Sequence, residues 1–85
     1  MRLNMAAVHA MANGPEAGLK LMDDLGLRDQ LDDYHLYHAA RADLFRRLEK
    51  PLDAVAAYEA ALELVTNAPE RRYLQGRLEE MRELV

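Results

Sequence analysis

The sequence predicts an all-α fold, with two helical hairpins in series and a C-terminal capping helix. Apolar residues recur at intervals of three or four in five segments, and prolines or glycines separate these segments. Isoleucine is absent, and no run alternates between apolar and polar residues as a half-buried strand would. Because 85 residues suffice for one small hydrophobic core, we expect a single domain over residues 1–85.

The first two predicted helices span residues 3–12 and 15–25. The turn Asn13-Gly14-Pro15 separates them and places a proline at the first position of the second helix, where a missing N–H costs nothing. Gly26 then suits the end of that helix. Its apolar face is predicted to carry Leu19, Leu21, Met22 and Leu25.

The third and fourth predicted helices span residues 33–49 and 51–67. Asp32 or Asp33 can cap the third helix, because a short carboxylate accepts hydrogen bonds from the free amides of a first turn. Pro51 allows one helix to end and the next to begin. The apolar face of the third helix is predicted to carry Leu36, Ala40 and Leu44, widened by Tyr37, Phe45 and Leu48. That of the fourth helix is predicted to carry Val55, Tyr58, Leu62 and Val65.

The fifth predicted helix spans residues 69–84 and begins at a proline, Pro69. We expect it to pack on the fourth helix and to cap the array, since a stack of helices needs a terminal element with a polar outer face. Its apolar stripe is predicted to consist of Leu74, Leu78, Met81 and Val85.

Composition argues against several chemistries. The chain has no cysteine and no serine, and Thr66 is its one aliphatic hydroxyl, so nucleophilic catalysis has almost no candidate residue. We expect neither enzymatic activity nor a cofactor. A membrane-spanning helix needs about 20 apolar residues, and neither such a run nor a signal peptide is visible. A cytoplasmic location without membrane contact is therefore expected.

The net charge of −4 is concentrated in one stretch. Six acids lie between Glu16 and Asp33, against only Lys20 and Arg28. Such a stretch would repel a phosphate backbone, so direct binding of nucleic acid is not expected. The acids are interpreted as a solvated surface with helix-start residues, or alternatively as an acidic face that docks on a basic partner.

His35 and His38 are three residues apart and therefore share a helix face. A metal site would need a third ligand in a fixed geometry. Surface or half-buried histidines beside Tyr34 and Tyr37 are favoured instead, and no metal is expected.

An internal repeat relates the two hairpins. Pro15 and Pro51 lie 36 residues apart, and Met22 falls on Tyr58 at that offset. A period of about 34–37 residues in paired helices is typical of helical-repeat proteins.

The second hairpin resembles a tetratricopeptide repeat, in which small residues mark close helix crossings and aromatic residues fill the gaps between them. The resemblance implies a right-handed stack of the two hairpins. Glu49 departs from the pattern, since it stands where the family usually has a turn glycine, and Pro69 comes late. The residues that match the repeat pattern are Ala42, Phe45, Ala54, Tyr58 and Ala61.

Nearly the whole chain resembles the C-terminal extension of a group of extracytoplasmic-function RNA polymerase sigma factors. The segments that carry the resemblance are NGPEAGL at 13–19, YHLYHAARADL at 34–44 with RRL at 46–48, and APERRYL at 68–74. In that group a tetratricopeptide-like domain follows the promoter-binding domains and regulates them through protein contacts. The resemblance implies a regulatory protein–protein interaction module whose partner is the sigma domains or RNA polymerase. The alternative is a stand-alone peptide-binding adaptor unrelated to transcription.

A partner-binding groove is predicted on the first helix of the repeat, at positions that tend to face the concave side of such arrays. A guanidinium there can hold a partner's carboxylate with two hydrogen bonds. The alternative is a solvated face that contains an Asp43–Arg47 ion pair. The predicted groove residues are His38, Asp43, Arg46 and Arg47.

Arg41 lies on the crowded side of the same helix, where the repeat usually has an apolar residue. We expect it to form an ion pair with another helix, to Asp24 or Glu63, or alternatively to contact a ligand. An apolar surface left uncovered on the first two helices would favour a homodimer or docking onto sigma domains.

Overall fold

The computed structural model describes residues 11–85, and every regular element within that range is helical. Residues 11–13 are helical, and the all-α prediction is confirmed for this part of the chain. The predicted helix at 3–12 lies almost entirely outside the described residues. Among residues 11–85, no helix is both long and apolar enough to cross a bilayer. The helices that follow residue 13 are α1 (Pro15–Asp24), α2 (Leu27–Leu31), α3 (His35–Arg47), α4 (Pro51–Leu64) and α5 (Ala68–Glu83).

Two differences from the predicted helices occur between α1 and α3. The five-residue helix α2 was not predicted, because so short a segment shows no helical period. Asp32 and Asp33 do not cap α3, which begins at His35 behind Tyr34, and Tyr34 makes no side-chain capping bond. The backbone oxygen of Asp32 instead accepts a hydrogen bond from the His38 ring.

Helix α4 ends at Leu64, three residues earlier than predicted, because Val65 adopts an extended conformation with ψ at 139°. Asn67 then caps α5: its Oδ1 accepts from the Glu70 N–H at 2.9 Å, and its Nδ2 donates to Glu70 Oε2 at 2.6 Å. This reciprocal pair fixes the start of α5 at Ala68, one residue before the predicted proline.

The turn after α3 forms a Schellman motif. The Lys50 N–H donates to the Phe45 carbonyl at 3.0 Å, and the Glu49 N–H donates to the Arg46 carbonyl at 3.1 Å. Glu49 has φ at 58°, the left-handed conformation that glycine usually supplies at this position. The structure thus uses a glutamate where the repeat pattern places a glycine.

Four pairs of the described helices pack against one another. Helix α3 packs against α4 and α4 against α5, whereas α1 packs against α3 and α2. One buried cluster, here called the hairpin core, joins α3, α4 and α5, and a second, the α1–α3 core, lies on the other side of α3. The hairpin core contains Ala42, Ala54, Ala57, Tyr58, Ala61, Val65, Leu74, Leu78 and Met81. The α1–α3 core contains Met22, Leu27, Tyr37 and Leu44.

Two residues predicted to lie on apolar faces are exposed. Val85 is 61% exposed because α5 ends at Glu83, before the stripe can continue. Leu36 is 40% exposed, and Tyr37 takes the buried position beside it. Leu44 of the same predicted face is buried, and Ala40 packs against the α1–α3 core. The buried face of α3 therefore includes Tyr37, one of the residues predicted to widen the face, in place of Leu36.

Candidate functional site

The predicted repeat-packing residues lie together in the structure. Ala42, Ala54, Tyr58 and Ala61 are buried in the hairpin core, and Phe45 packs against it while remaining partly exposed. The residues predicted to cap the array, Leu74, Leu78 and Met81, are buried in the same cluster. This surface of α4 and α5 is occupied by structural contacts and offers no binding site.

Three of the four predicted groove residues form one ion-pair cluster. Asp43 lies 2.6 Å from Arg46 and 3.0 Å from Arg47, each distance joining a carboxylate oxygen to a guanidinium nitrogen. The hydrogen bond to Asp43 raises the pKa of Arg46. Since Asp43 holds both cations on the same helix, neither guanidinium is free of a competing carboxylate.

Arg46 also lies near Tyr58 of the hairpin core. The Tyr58 hydroxyl and Arg46 Nε are both buried, and neither has a hydrogen-bond partner of acceptable geometry. Burial raises the pKa of Tyr58, and the nearby Arg46 guanidinium offsets part of that rise. The Asp43–Arg46 pair therefore lies beside Tyr58, where α3 packs on α4.

His38 does not join this cluster. Its ring is buried, and its Nε2–H donates to the backbone oxygen of Asp32 at 2.6 Å. This bond ties the turn after α2 to the first half of α3. His38 thus lies away from Arg46, which lines a different cavity together with Glu49 and Met81.

Arg41 does not form the predicted ion pair with Asp24 or Glu63. Among residues 11–85 it makes no hydrogen bond or ion pair, and its Nε is buried without a partner. Its guanidinium carbon instead lies 5.7 Å from the centre of the Tyr37 ring and 5.2 Å from that of Phe45. Residues four positions apart stack along a helix, so both rings flank the Arg41 guanidinium on α3 itself.

Two cavities of about 340 Å³ each meet at Arg41 and Phe45. We name the pair of cavities the Arg41 groove. One cavity lies toward α4 and the other lies toward α1. The first is also lined by Arg28, Asp32, His38, Asp53, Ala56, Ala57 and Ala60, and the second by Glu16, Leu19, Lys20, Asp23, Leu48 and Lys50.

The sequence pattern only partly indicated this site. The arginine at an apolar repeat position is the one signal, and the two roles predicted for it are an ion pair with another helix and a contact with a ligand. The contribution of Arg28 could not be foreseen, because it depends on the unpredicted helix α2.

The two histidines have separate partners. His35 Nε2 lies 2.9 Å from Glu70 Oε2, which links the start of α3 to the start of α5, while His38 bonds to the backbone. Within residues 11–85, no three His, Asp or Glu side chains are placed to hold a metal ion. The six acids from Glu16 to Asp33 are all exposed, as either interpretation of that stretch requires.

This chain is similar to part of a longer protein. An uncharacterized protein of Rhizobium meliloti (strain 1021) is 34% identical to it over 79 residues. Those residues are 93% of this chain but only 18% of the relative, so the chain spans less than a fifth of that protein's length. No family model matches the chain, and no solved structure matches it.

Proposed function

We propose that this chain is a protein–protein interaction module that acts in transcription regulation, as the C-terminal domain of an extracytoplasmic-function sigma factor. In this role it docks reversibly on sigma domains or on RNA polymerase and changes promoter engagement. It works in the cytoplasm, and its action requires no catalysis, cofactor or direct contact with DNA.

The observation that carries the proposal is the packing of α3 on α4. Ala42, Ala54 and Ala61 are each 0% exposed, and Tyr58 fills the space between them. Small residues at crossings with aromatic residues between them are the arrangement that the tetratricopeptide pattern requires. Stacks of such hairpins present extended surfaces to other proteins, which supports an interaction role.

The link to transcription depends on the sigma-factor resemblance at residues 13–19, 34–48 and 68–74. The relative from Rhizobium meliloti supports a modular role, because a segment like this chain makes up 18% of a longer protein. That longer protein has room for other domains to which such a segment is attached.

A direct binding measurement tests the proposal. The purified 85-residue chain is immobilised, and purified sigma domains and core RNA polymerase from the same genome are passed over it in separate runs. We expect saturable binding to one of them with a Kd of about 10 μM or tighter, the range of regulated domain contacts.

In the same experiment, a sigma factor of the housekeeping type is the matched control and is expected not to bind. Absence of binding to both partners at 100-fold higher concentrations contradicts the proposal. Saturable binding to an unrelated peptide alone would favour the adaptor alternative.

A further inference from the structure

Arg41 is the one polar side chain of the Arg41 groove that is partly buried and has no hydrogen-bond or ion-pair partner among residues 11–85. The Arg41 Nε is removed from water, and only a hydrogen-bonding acceptor fully restores the hydration that this nitrogen loses. Stacking on Tyr37 and Phe45 compensates the charge in part, but it leaves the in-plane N–H donors unused. The Arg41 guanidinium therefore retains the capacity to bind an acceptor.

The geometry of Arg41 favours a carboxylate. Two flanking rings hold the guanidinium in place, which lowers the entropy that is lost when it pairs with a ligand. A planar guanidinium forms two parallel hydrogen bonds with a carboxylate, and these bonds are stronger than neutral ones. Arg28 lines the same groove and likewise makes no ion pair within the described part of the chain.

The remaining walls argue against a highly charged ligand. Asp32 and Asp53 line the cavity toward α4, and Glu16 and Asp23 line the other. These four carboxylates balance Arg28, Arg41, Lys20 and Lys50, so the groove has no net positive charge that would attract a phosphate dianion or a nucleic-acid backbone. A segment with a single carboxylate, flanked by neutral residues, fits this distribution of charge.

The shape of the groove favours a peptide over a compact metabolite. Ala56 and Ala60 form a wall of small side chains on α4, which allows a main chain to approach the helix closely. Leu19 and Leu48 in the other cavity supply apolar contact for a neighbouring side chain. The two cavities lie on either side of Arg41, as an extended chain with a central acidic residue requires.

We propose that an extended segment of a protein partner docks along the Arg41 groove and that one Asp or Glu side chain of this segment pairs with Arg41. The inference depends on the proposed function only in that the partner is a protein. It names the surface and the recognition chemistry of that interaction.

The test begins with the full 85-residue chain and a displayed library of random peptides. We expect the enriched peptides to share one Asp or Glu with apolar neighbours. A fluorescent copy of the best peptide is then compared with its counterpart in which that acid is replaced by Gln or Asn. The amide counterpart is expected to bind at least 10-fold more weakly, and this comparison leaves the protein unchanged.

Variants of the protein complete the test. Arg41→Gln is expected to weaken the acidic peptide at least 10-fold but to leave the amide counterpart unchanged, so that the two changes are not additive. The matched control is Arg72→Gln, an exposed arginine on α5 that makes no ion pair among the described residues. It is expected to bind both peptides as the original chain does.

Three results would overturn the inference. They are enrichment of peptides without an acid, equal binding of the acidic and amide peptides, and displacement of the peptide by acetate at equal concentration.

Failure of the proposed function can be distinguished from failure of this inference. If Arg41→Gln still binds sigma domains normally, the groove assignment is wrong; if no sigma domain binds but the acidic peptide does, the transcription role is wrong.

Discussion

Glu49 is the residue whose backbone conformation least suits its side chain. It is the one non-glycine residue with positive φ within residues 11–85, and the Schellman turn after α3 requires that conformation. The left-handed region costs an ordinary residue about 1–2 kcal/mol in steric strain. Glycine avoids this strain, but it loses more conformational entropy on folding, which offsets part of the gain.

We therefore expect Glu49→Gly to stabilise the protein by about 0.5–1 kcal/mol and to raise Tm by a few degrees. Thermal unfolding followed by circular dichroism measures this. Glu79→Gly is the matched control, since Glu79 is exposed inside α5, and it should cost about 1 kcal/mol. Loss of stability in both variants would show that the Glu49 side chain makes a contact worth more than the strain.

Tyr37 offers a second test at the residue scale. Its side chain is 0% exposed, and its hydroxyl is buried without a hydrogen-bond partner. A buried polar group without a partner costs about 1–3 kcal/mol, so Tyr37→Phe should leave the protein at least as stable and about 1 kcal/mol more stable at best. Urea unfolding measures the change, with the exposed Tyr73→Phe expected to be neutral. A loss above 1 kcal/mol in Tyr37→Phe would mean that the hydroxyl is satisfied.

The burial of Tyr58 predicts that the stability of the folded protein falls at alkaline pH. Burial raises its pKa in the folded protein above the ordinary value of 10.0, whereas the unfolded chain keeps that ordinary value. Above pH 10 the unfolded state thus binds fewer protons, and the free energy of unfolding falls by at most about 1.4 kcal/mol per pH unit. Urea unfolding between pH 9 and 11 should show this fall, and Tyr58→Phe should reduce it. An unchanged slope in that variant contradicts the assignment.

At the scale of elements, the start of α5 depends on a reciprocal cap. Asn67 and Glu70 satisfy each other's polar groups at the helix start, and Glu70 also binds His35 of α3. We expect Asn67→Ala to cost about 1 kcal/mol in urea unfolding, because the Glu70 N–H loses its acceptor. Gln75→Ala, at an exposed position of the same helix, should change stability by less than about 0.5 kcal/mol. Equal effects would show that the cap contributes nothing.

The crossing of α3 and α4 depends on small residues on one face of α4. Ala54 is 0% exposed, whereas Ala56 on the same helix faces the Arg41 groove and is exposed. Ala54→Leu should therefore destabilise the fold by about 1–3 kcal/mol, while Ala56→Leu should fold with nearly unchanged stability. Chemical denaturation of both variants measures the difference. Similar costs in the two variants would contradict the close approach of the helices at Ala54.

The sequence predicted the long elements better than the short ones. Helices α1, α4 and α5 begin within one residue of their predicted starts, because a proline near each start stops the preceding helix. Helix α2 has five residues, too few to show a period, and its position depends on Gly26 in the left-handed conformation at φ 63°. The Arg41 groove was missed for the same reason, since α2 places Arg28 beside it.

At the scale of the whole molecule, two cores of unequal size share α3. The hairpin core joins three long helices, while the α1–α3 core has only Met22, Leu27, Tyr37 and Leu44 as fully buried members. We expect amides of α1 to exchange with deuterium faster than those of α4, because fewer buried contacts hold α1 in place.

Met22→Ala and Leu78→Ala form a matched pair for this prediction, since each removes one buried side chain from a different core at a cost of about 2–5 kcal/mol. Met22→Ala should speed exchange in α1 and α2 selectively, and Leu78→Ala should speed it throughout. Uniform acceleration in both variants would show that the two cores unfold as one unit.

Helix α3 contacts three parts of the molecule: it faces one core through Tyr37 and Leu44, the other through Ala42, and the groove through Arg41. A single-residue insertion inside it would rotate every later side chain by about 100° and misplace all of these contacts at once. We therefore expect insertions and deletions among natural relatives to occur in the connections around α2, whereas the length of α3 should stay constant. A relative that folds with one extra residue between Tyr37 and Leu44 would show that α3 tolerates a change of register.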